Sequence, residues 1–393
     1  MSVGVAIIGL AALIFIHEAG HFVAARAVGM RPRKFYLGVP PALFKTTRGG
    51  VEYGIGSIPL GGYVKIPGMH RPAPGDLRGS LPPEEQSRLA PELDALDDAL
   101  ARGDDDAARA QASALEPELD GARMFRELKD GLSPDAYWRQ PAWKRILVIG
   151  AGPAVNLIAA VVLFFGVFAT SSETATRTVG QVLAGHPAAA AGIKVGDEVI
   201  AIGGRPAQAS RLSTQINATH GRPFVLTVER HGKRLKLGPL SARLDSGSYR
   251  IGIGLVGKSG PGEALPAAIG DSFRLTWQVI DEQAKGLGGL FVGRHTRDVS
   301  SSVGIVRDTA QAYRVSLGDY FFFIGLISLA LAFLNLLPVL PLDGGHIVMS
   351  ILEWLRGGTF SQLAYLRYSA VGVTLFMFLL YLGLRNDLPH LFS

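Results

Sequence analysis

Four stretches of the chain are apolar and long enough to cross a bilayer, which takes about 20 residues and at least about 17. They run from about Val3 to Val28, Ile146 to Thr170, Tyr320 to Leu337 and Tyr368 to Leu384. The first is not read as a signal peptide, because no basic run precedes it and it carries His17, Glu18 and His21. Between the first two stretches, alternation in Val51-Glu52-Tyr53-Gly54-Ile55 predicts a strand–turn element within 31–69. From His70 to Asp130 the pattern changes. Leu89, Leu93, Leu96 and Leu100 recur at helical spacing over Pro83 to Arg102, and Ala107 to Leu119 reads similarly. Together they predict a charged helical hairpin turning near Gly103. Farther on, Phe224-Val225-Leu226-Thr227-Val228 and the turn pairs Gly203-Gly204 and His231-Gly232 predict one β-rich module over 175–258. Phe273, Trp277, Ile280 and Ala284 then predict an amphipathic helix, within 263–300, lying near a membrane surface.

Composition agrees with this layout. The 393 residues are 48% hydrophobic and only 18% charged, and the charges are segregated from the apolar stretches. That is the pattern of a multi-spanning α-helical membrane protein, with four transmembrane helices at 1–30, 141–170, 318–338 and 367–385. The net charge of +6 comes with no basic cluster interleaved with aromatics, so no nucleic acid partner is expected and the excess is read as topology. Arg26, Arg31, Arg33 and Lys34, then Lys144 and Arg145, then Arg356 and Arg367 all fall on one side, taken as cytoplasmic; Arg385 alone argues the other way. Both termini and 171–319 then face outside. With no cysteine in the chain, disulfides and thiolate metal sites are excluded, and any metal must be held by His, Asp or Glu.

His17-Glu18-Ala19-Gly20-His21 supplies such ligands. On a helix the two imidazoles lie on one face, with Glu18 beside the water that a bound zinc ion would acidify towards a pKa of about 7. A carboxylate in the middle of a membrane helix costs roughly 2.5–3.5 kcal/mol even on lenient scales, so these polar groups are read as functional rather than as packing. Catalytic zinc usually takes three protein ligands. Asp343 is the only acidic residue between Asp319 and Glu353, and it follows a proline-broken helix end at Pro338 and Pro341. It is the preferred third ligand, with His346 as the competitor.

These residues resemble the site-2 protease family of intramembrane zinc proteases, with the bacterial regulator-of-sigma-E protease type as the nearest branch. Four motifs occur in the family's order: His17 to His21, Gly61-Gly62-Tyr63-Val64-Lys65, Gly152-Pro153-Ala154-Val155-Asn156, and Leu342-Asp343-Gly344-Gly345-His346. The resemblance implies that His17, His21 and Asp343 bind one Zn2+ and that Glu18 is the general base. It implies that Asn335 bonds substrate backbone and that Asn156 lies close to the site. It also implies that Gly61, Gly62, Tyr63, Val64 and Lys65 belong to a membrane-associated β-loop pairing with an unwound substrate helix. The implied activity is regulated intramembrane proteolysis at the cell membrane. Its substrates would be single-span membrane proteins such as anti-sigma factors or remnant signal peptides. Two departures stand out: Leu340 occupies the place of a second family proline, and the 70–130 insertion has no family role.

Pro187 to Ile202 resembles the core of a bacterial PDZ domain, implying one extracytoplasmic module (175–258) that binds a peptide or partner segment or filters substrates by size. Ser301-Ser302-Val303-Gly304-Ile305 resembles a structural element of the family. A non-catalytic membrane scaffold carrying a PDZ domain and a zinc transporter are the rival classes. Glu18 beside two histidines argues against the scaffold, and the nearly bare second and fourth spans argue against a transport path.

Overall fold

The computed structural model describes the chain apart from residues 1, 120, 184, 246–247, 292–304, 306–308, 311, 314–315, 361 and 388–393. It divides into two compact units, Met1–Phe165 with Gly270–Ser393, and Gly166–Ile269.

In the first unit, α1 (Ser2–Ala27) leads into two long strands, β1 (Lys34–Arg48) and β2 (Val51–Lys65). The turn between them uses Gly49 and Gly50 at φ 59° and 78°, where L side chains are strained. The pairing is more involved than a simple hairpin. Lys34 to Leu37 partner Glu52 to Ile55, and they also partner Lys65 back to Gly62. A strand has two edges, so the start of β1 lies between the two halves of β2. Residues 62–65 therefore form an edge, and among the described residues no other strand pairs with it.

The insertion contributes α2 (Pro83–Arg88), α3 (Ala90–Arg102), α4 (Asp105–Leu119) and α5 (Arg123–Leu132). The single helix expected from Pro83 to Arg102 is broken at Leu89, whose backbone (φ −102°, ψ 18°) leaves the helical region. Gly103, at φ 73°, ends α3 in the left-handed conformation that glycine adopts without a Cβ penalty. Leu93, Leu96, Leu115 and Phe125 are among the buried residues that give these helices a core of their own. Ion pairs tie this small domain to the sheet. Lys65 meets Asp130 at 2.7 Å and Glu127 at 3.0 Å, and Arg33 meets Asp130 at 3.0 Å and Asp135 at 3.2 Å.

Next come α6 (Ala142–Thr170) and, after the second unit, α9 (Leu265–Phe291), α10 (Leu317–Asn335), α11 (Asp343–Arg356) and α12 (Gln362–Asp387). Among the described residues three helices, α1, α6 and α10, are long and apolar enough to cross a membrane. The fourth expected span falls in α12, whose apolar part Ala364–Phe378 is shorter. Helix α10 stops at Asn335 rather than near residue 338, because Pro338 disfavours the helical region for the residue before it and has no N–H to continue the ladder. Of Ser301 to Ile305, only Ile305 lies within the described residues.

The second unit holds β3 (Ser171–Val182), α7 (Pro187–Ala190), β4 (Glu198–Ile202), β5 (Arg205–Pro206), α8 (Leu212–Asn217), β6 (Phe224–Arg230), β7 (Lys233–Leu240) and β10 (Ile253–Pro261). The main sheet runs β10-β3-β4-β6-β7, with β5 beside β4; β8 (Arg243–Asp245) and β9 (Ser248–Arg250) pair separately. Alternation along β6 buries Phe224, Leu226 and Val228 on one face, where they pack with Val179, Val199 and Ile251. Asp197, fully buried, accepts from Arg230 at 2.7 and 2.8 Å and from the Lys194 amide at 2.9 Å. The Arg230 bonds hold this carboxyl below its ordinary value of 3.8 despite its burial.

A depressed carboxylate contributes stability that is present above its unfolded pKa and lost as pH falls through the folded one. Asp197→Asn should therefore destabilise this unit at neutral pH, because Arg230 loses its carboxylate partner. Amide hydrogen exchange in β4 and β6 should speed up in the variant. Acidification below about pH 4 should lower the wild type's protection factors, taken against the intrinsic exchange rate at each pH, and close the gap between the two.

Candidate metal centre

Helix α1 is apolar along most of its length, so His17, Glu18 and His21 interrupt an otherwise lipid-compatible surface. Their four-residue spacing puts both imidazoles on one face. The Nε2 atoms of His17 and His21 are 3.2 Å apart, and Asp343 Oδ2 lies 3.2 Å from the first and 3.4 Å from the second. Among the described residues these three alone bring metal-ligand atoms together. Asp343 is the first residue of α11, brought back to α1 by the loop after α10. His346, the competing ligand, lies one turn farther along α11 and is not in the cluster.

The donor set fits zinc. Zn–N and Zn–O bonds of about 2.0–2.1 Å in a tetrahedron put neighbouring ligand atoms about 3.3–3.4 Å apart, close to the three separations found here. Asp343 Oδ2 is buried and has no hydrogen-bond partner of its own, which is costly unless a cation satisfies it.

The imidazoles are held from behind. The carbonyl of Val148 can only accept, so at 2.9 Å it fixes the proton on His21 Nδ1 and leaves the Nε2 lone pair facing the cluster. His17 needs the same arrangement. The amide of Asn156 lies 3.3 Å from His17 Nδ1, and the residue's Oδ1 otherwise has no partner in a fully buried position. Turning the amide so that this oxygen accepts from Nδ1–H satisfies both groups. Ser328 Oγ donates to the Asn156 carbonyl at 2.8 Å, tying α10 to α6 behind the ligands.

Close approach depends on glycine. A Cβ on Gly152 would stand 2.3 Å from His21 Nε2, and one on Gly20 would stand 2.7 Å from the Ala151 carbonyl oxygen. The two helices thus meet through glycines from both sides. A Cβ on Gly62 would fall 2.3 Å from Glu18 Cγ, so the edge of β2 lies directly against that carboxylate, and the Val64 amide is its backbone partner. Gly61, at φ 85°, turns the chain into this edge. Gly344 meets the Leu336 and Leu337 carbonyls at similar range.

Two further residues fix α11, and sequence reasoning did not single out either contact. Buried Glu353 receives Arg145 of α6 at 2.5 Å, and Ser350 bonds Tyr137 at 3.0 Å. Only the isolation of these polar residues in apolar surroundings hinted at such pairs. The side chain of Lys65 turns to the insertion. Burial works against its charge, but Asp130 and Glu127 outweigh that and raise its pKa, so its ammonium is committed to the insertion. Asn335 ends α10 half-buried, and no described hydrogen bond joins its amide to the three ligands.

Two substitutions test this packing through metal content. Gly152→Ala should strip zinc from purified protein, whereas Gly150→Ala, whose nearest neighbour would be 3.9 Å away, should retain it. Asn156→Leu should weaken zinc retention against a chelator by about 10–100-fold, the usual cost of losing a ligand's supporting hydrogen bond.

The model of peptidase family M50 matches residues 5–380. Metalloprotease MmpA of Caulobacter vibrioides is 29% identical over 88% of this chain and 84% of its own length. Zinc metalloprotease Rip1 of Mycobacterium tuberculosis is 26% identical over 90% and 86%. Zinc metalloprotease RasP of Shouchella clausii is 26% identical over 97% of each. With the match running through the His17–His21 helix, the Gly152 packing surface and the Asp343 loop alike, the chain belongs to peptidase family M50, the site-2 protease family of intramembrane zinc metalloproteases.

Proposed function

We propose that the protein cleaves peptide bonds within or beside the transmembrane helix of single-span membrane proteins, anti-sigma factors or remnant signal peptides being the class the family suggests. The observation that carries this reading is the position of Glu18, set between the three-donor cluster and an unpaired strand edge. Hydrolysis needs an extended backbone, and a helix in lipid has none to offer. An unwound substrate segment adding to the 62–65 edge would gain backbone hydrogen bonds and lie beside Glu18. Gly61 and Gly62 keep that edge free of side chains where it meets the carboxylate, while Tyr63 and Val64 flank the bound backbone. Asn335 would bond the far side of the substrate backbone.

His17, His21 and Asp343 would hold the zinc ion, which when bound would supply Lewis acidity. Glu18 takes the proton that the water loses and later hands it to the leaving amine, so one carboxylate serves as base and then acid. Asn156 and the Val148 carbonyl keep the two imidazoles in the ligating tautomer throughout. The buried surroundings of the cluster exclude bulk water.

The same reading places the protein in the cell membrane with α12 as a fourth span, the metal centre towards the cytoplasmic side and the Gly166–Ile269 unit outside as a PDZ module. Lys/Arg asymmetry supports the orientation. The sheet of the second unit, with short helices after β3 and β5, supports the module, which would bind a peptide or partner segment or hinder bulky substrates.

Co-expression with a single-span substrate tests the mechanism. Glu18→Gln should cut cleavage by at least about 10²–10⁴-fold while leaving zinc bound. His17→Ala and Asp343→Asn should lose both, and chelation of the wild type should be reversed by added zinc. A Glu18→Gln variant that cleaved at the wild-type rate would overturn the acid–base role of Glu18.

A further inference from the structure

A cavity of about 640 Å³ opens between the end of β2 and the insertion. That volume lies within the range of about 300–1,000 Å³ typical of small-molecule sites. Ile66, Leu77, Met124 and Leu128 give it an apolar wall. The charged residues among its described lining are Lys65, Arg71, Asp76, Arg123 and Glu127. Three of them are already engaged. Lys65 pairs with Glu127 at 3.0 Å and with Asp130 at 2.7 Å, and Asp76 accepts from the Ala73 amide at 2.8 Å. Arg71 and Arg123 form no ion pair or side-chain hydrogen bond among the described residues. The charge left without a partner on the lining is therefore positive.

The surroundings of these two guanidinium groups favour an anion. Arg71 lies over the Trp138 ring at 5.4 Å, which orients the fork and leaves its N–H edges free. His70, also on the lining, has a buried Nδ1 with no hydrogen-bond partner, which is costly unless a ligand supplies one. The start of α5 reaches the cavity at Arg123 and Met124, and no side chain caps it. Acids suit such a first turn, because its free amides carry partial positive charge. Here the turn holds Arg123 and Arg126 and no acid. This cationic lining also runs against the composition of its own domain. Residues 70–130 contain fifteen Asp and Glu against eight Lys and Arg.

We infer that this cavity binds a phosphate monoester with an apolar body, the phosphate between Arg71 and Arg123 and the body against Leu77, Met124 and Leu128. Charge selects the head group. Two unpaired guanidinium groups match the charge of about −1.5 to −2 that a phosphate monoester carries at pH 7, where a carboxylate or a phosphodiester carries one. Donor number agrees, since two forks, a ring nitrogen and the amides of α5 offer more hydrogen bonds than a carboxylate's two oxygens accept well. Size and wall select the rest: a bare phosphate would leave most of the hollow, and all of its apolar wall, uncovered. Phosphatidic acid and a soluble monoester share this chemistry. The inference stands independently of the protease reading.

The test titrates hexyl phosphate into purified full-length protein in phosphatidylcholine nanodiscs and reads binding by calorimetry. One hexyl phosphate should bind per chain, and inorganic phosphate at least about tenfold more weakly, because it leaves the apolar wall bare. Arg123→Glu should weaken hexyl phosphate by at least about tenfold, and Arg71→Gln likewise, each losing a charged hydrogen-bonding partner. Arg126→Glu makes the same charge change on the same helical turn but off the lining, and should keep the wild-type affinity within about threefold. Both glutamates fall where the helix dipole favours an acid, so α5 should remain folded in either variant. Amide exchange at the start of α5 should slow on binding in the wild type and not in Arg123→Glu.

Repeating the titration with phosphatidic acid in the nanodiscs, and with phosphatidylglycerol as the control for surface charge, separates the two sources. Competition by phosphatidic acid beyond that control would identify a lipid occupant, and no such competition would identify a soluble monoester; either upholds the site. No binding of hexyl phosphate, equal losses in Arg123→Glu and Arg126→Glu, or inorganic phosphate binding as tightly as hexyl phosphate would each overturn the inference.

Discussion

Three lone-pair atoms converge within 3.4 Å of one another in a largely buried place, and no cationic side chain among the described residues pairs with them. Two imidazole nitrogens and a carboxylate oxygen repel at that range, and desolvation deepens the cost unless a cation sits among them. The contacts around them resist the ways the cluster could relax. The Val148 carbonyl holds His21 in one tautomer, Asn156 restrains His17, and the short first turn of α11 keeps Asp343 facing both. Cation binding and helix packing therefore stabilise each other.

The packing tolerates this because backbones approach where side chains would block. Gly20 and Gly152 let α1 and α6 close behind the imidazoles, and Gly344 lets α11 start against the loop that follows α10. In lipid, small residues at helix interfaces replace the hydrophobic drive that water would supply. The Arg145–Glu353 pair fixes the far end of α11, ten residues from Asp343. Glu353 also accepts from the Phe360 amide at 2.8 Å and from Tyr365 at 3.3 Å, so its charge is well partnered. That pair costs desolvation on both sides, and what it supplies is direction for the helix more than net stability.

Much of this was legible in the sequence where chemistry leaves a local mark. His17, Glu18 and His21 stand out because polar groups on an apolar helix are expensive, and Asp343 because it is the lone acid in a long stretch. Helical periodicity also revealed the insertion's leucines. Information carried by long-range geometry was not legible. Lys34 pairs with residues on both halves of β2, and no alternation pattern encodes that fold-back. The side-chain partners of Lys65, Glu127 and Asp130, lie more than sixty residues away, beyond the reach of any local pattern. Gly152 was visible as part of a motif, but its neighbour His21 is known only once α6 is placed against α1.

The ion pairs at Lys65 and Arg33 give the insertion a firm hold on the sheet that a loosely tethered domain would lack. The margin of a sheet is usually its least stable part, and these ion pairs brace it. Anchoring both Arg33 and Lys65 to Asp130 clamps two neighbouring strands at one end, while Gly61 and Gly62 leave the other end free to meet Glu18. A half-buried charged pair is worth more than an exposed one, because solvent screens it less. Two such pairs sharing a carboxylate also couple the strands to each other. The insertion thus does structural work at the end of β2, three residues from the glycine that lies against Glu18.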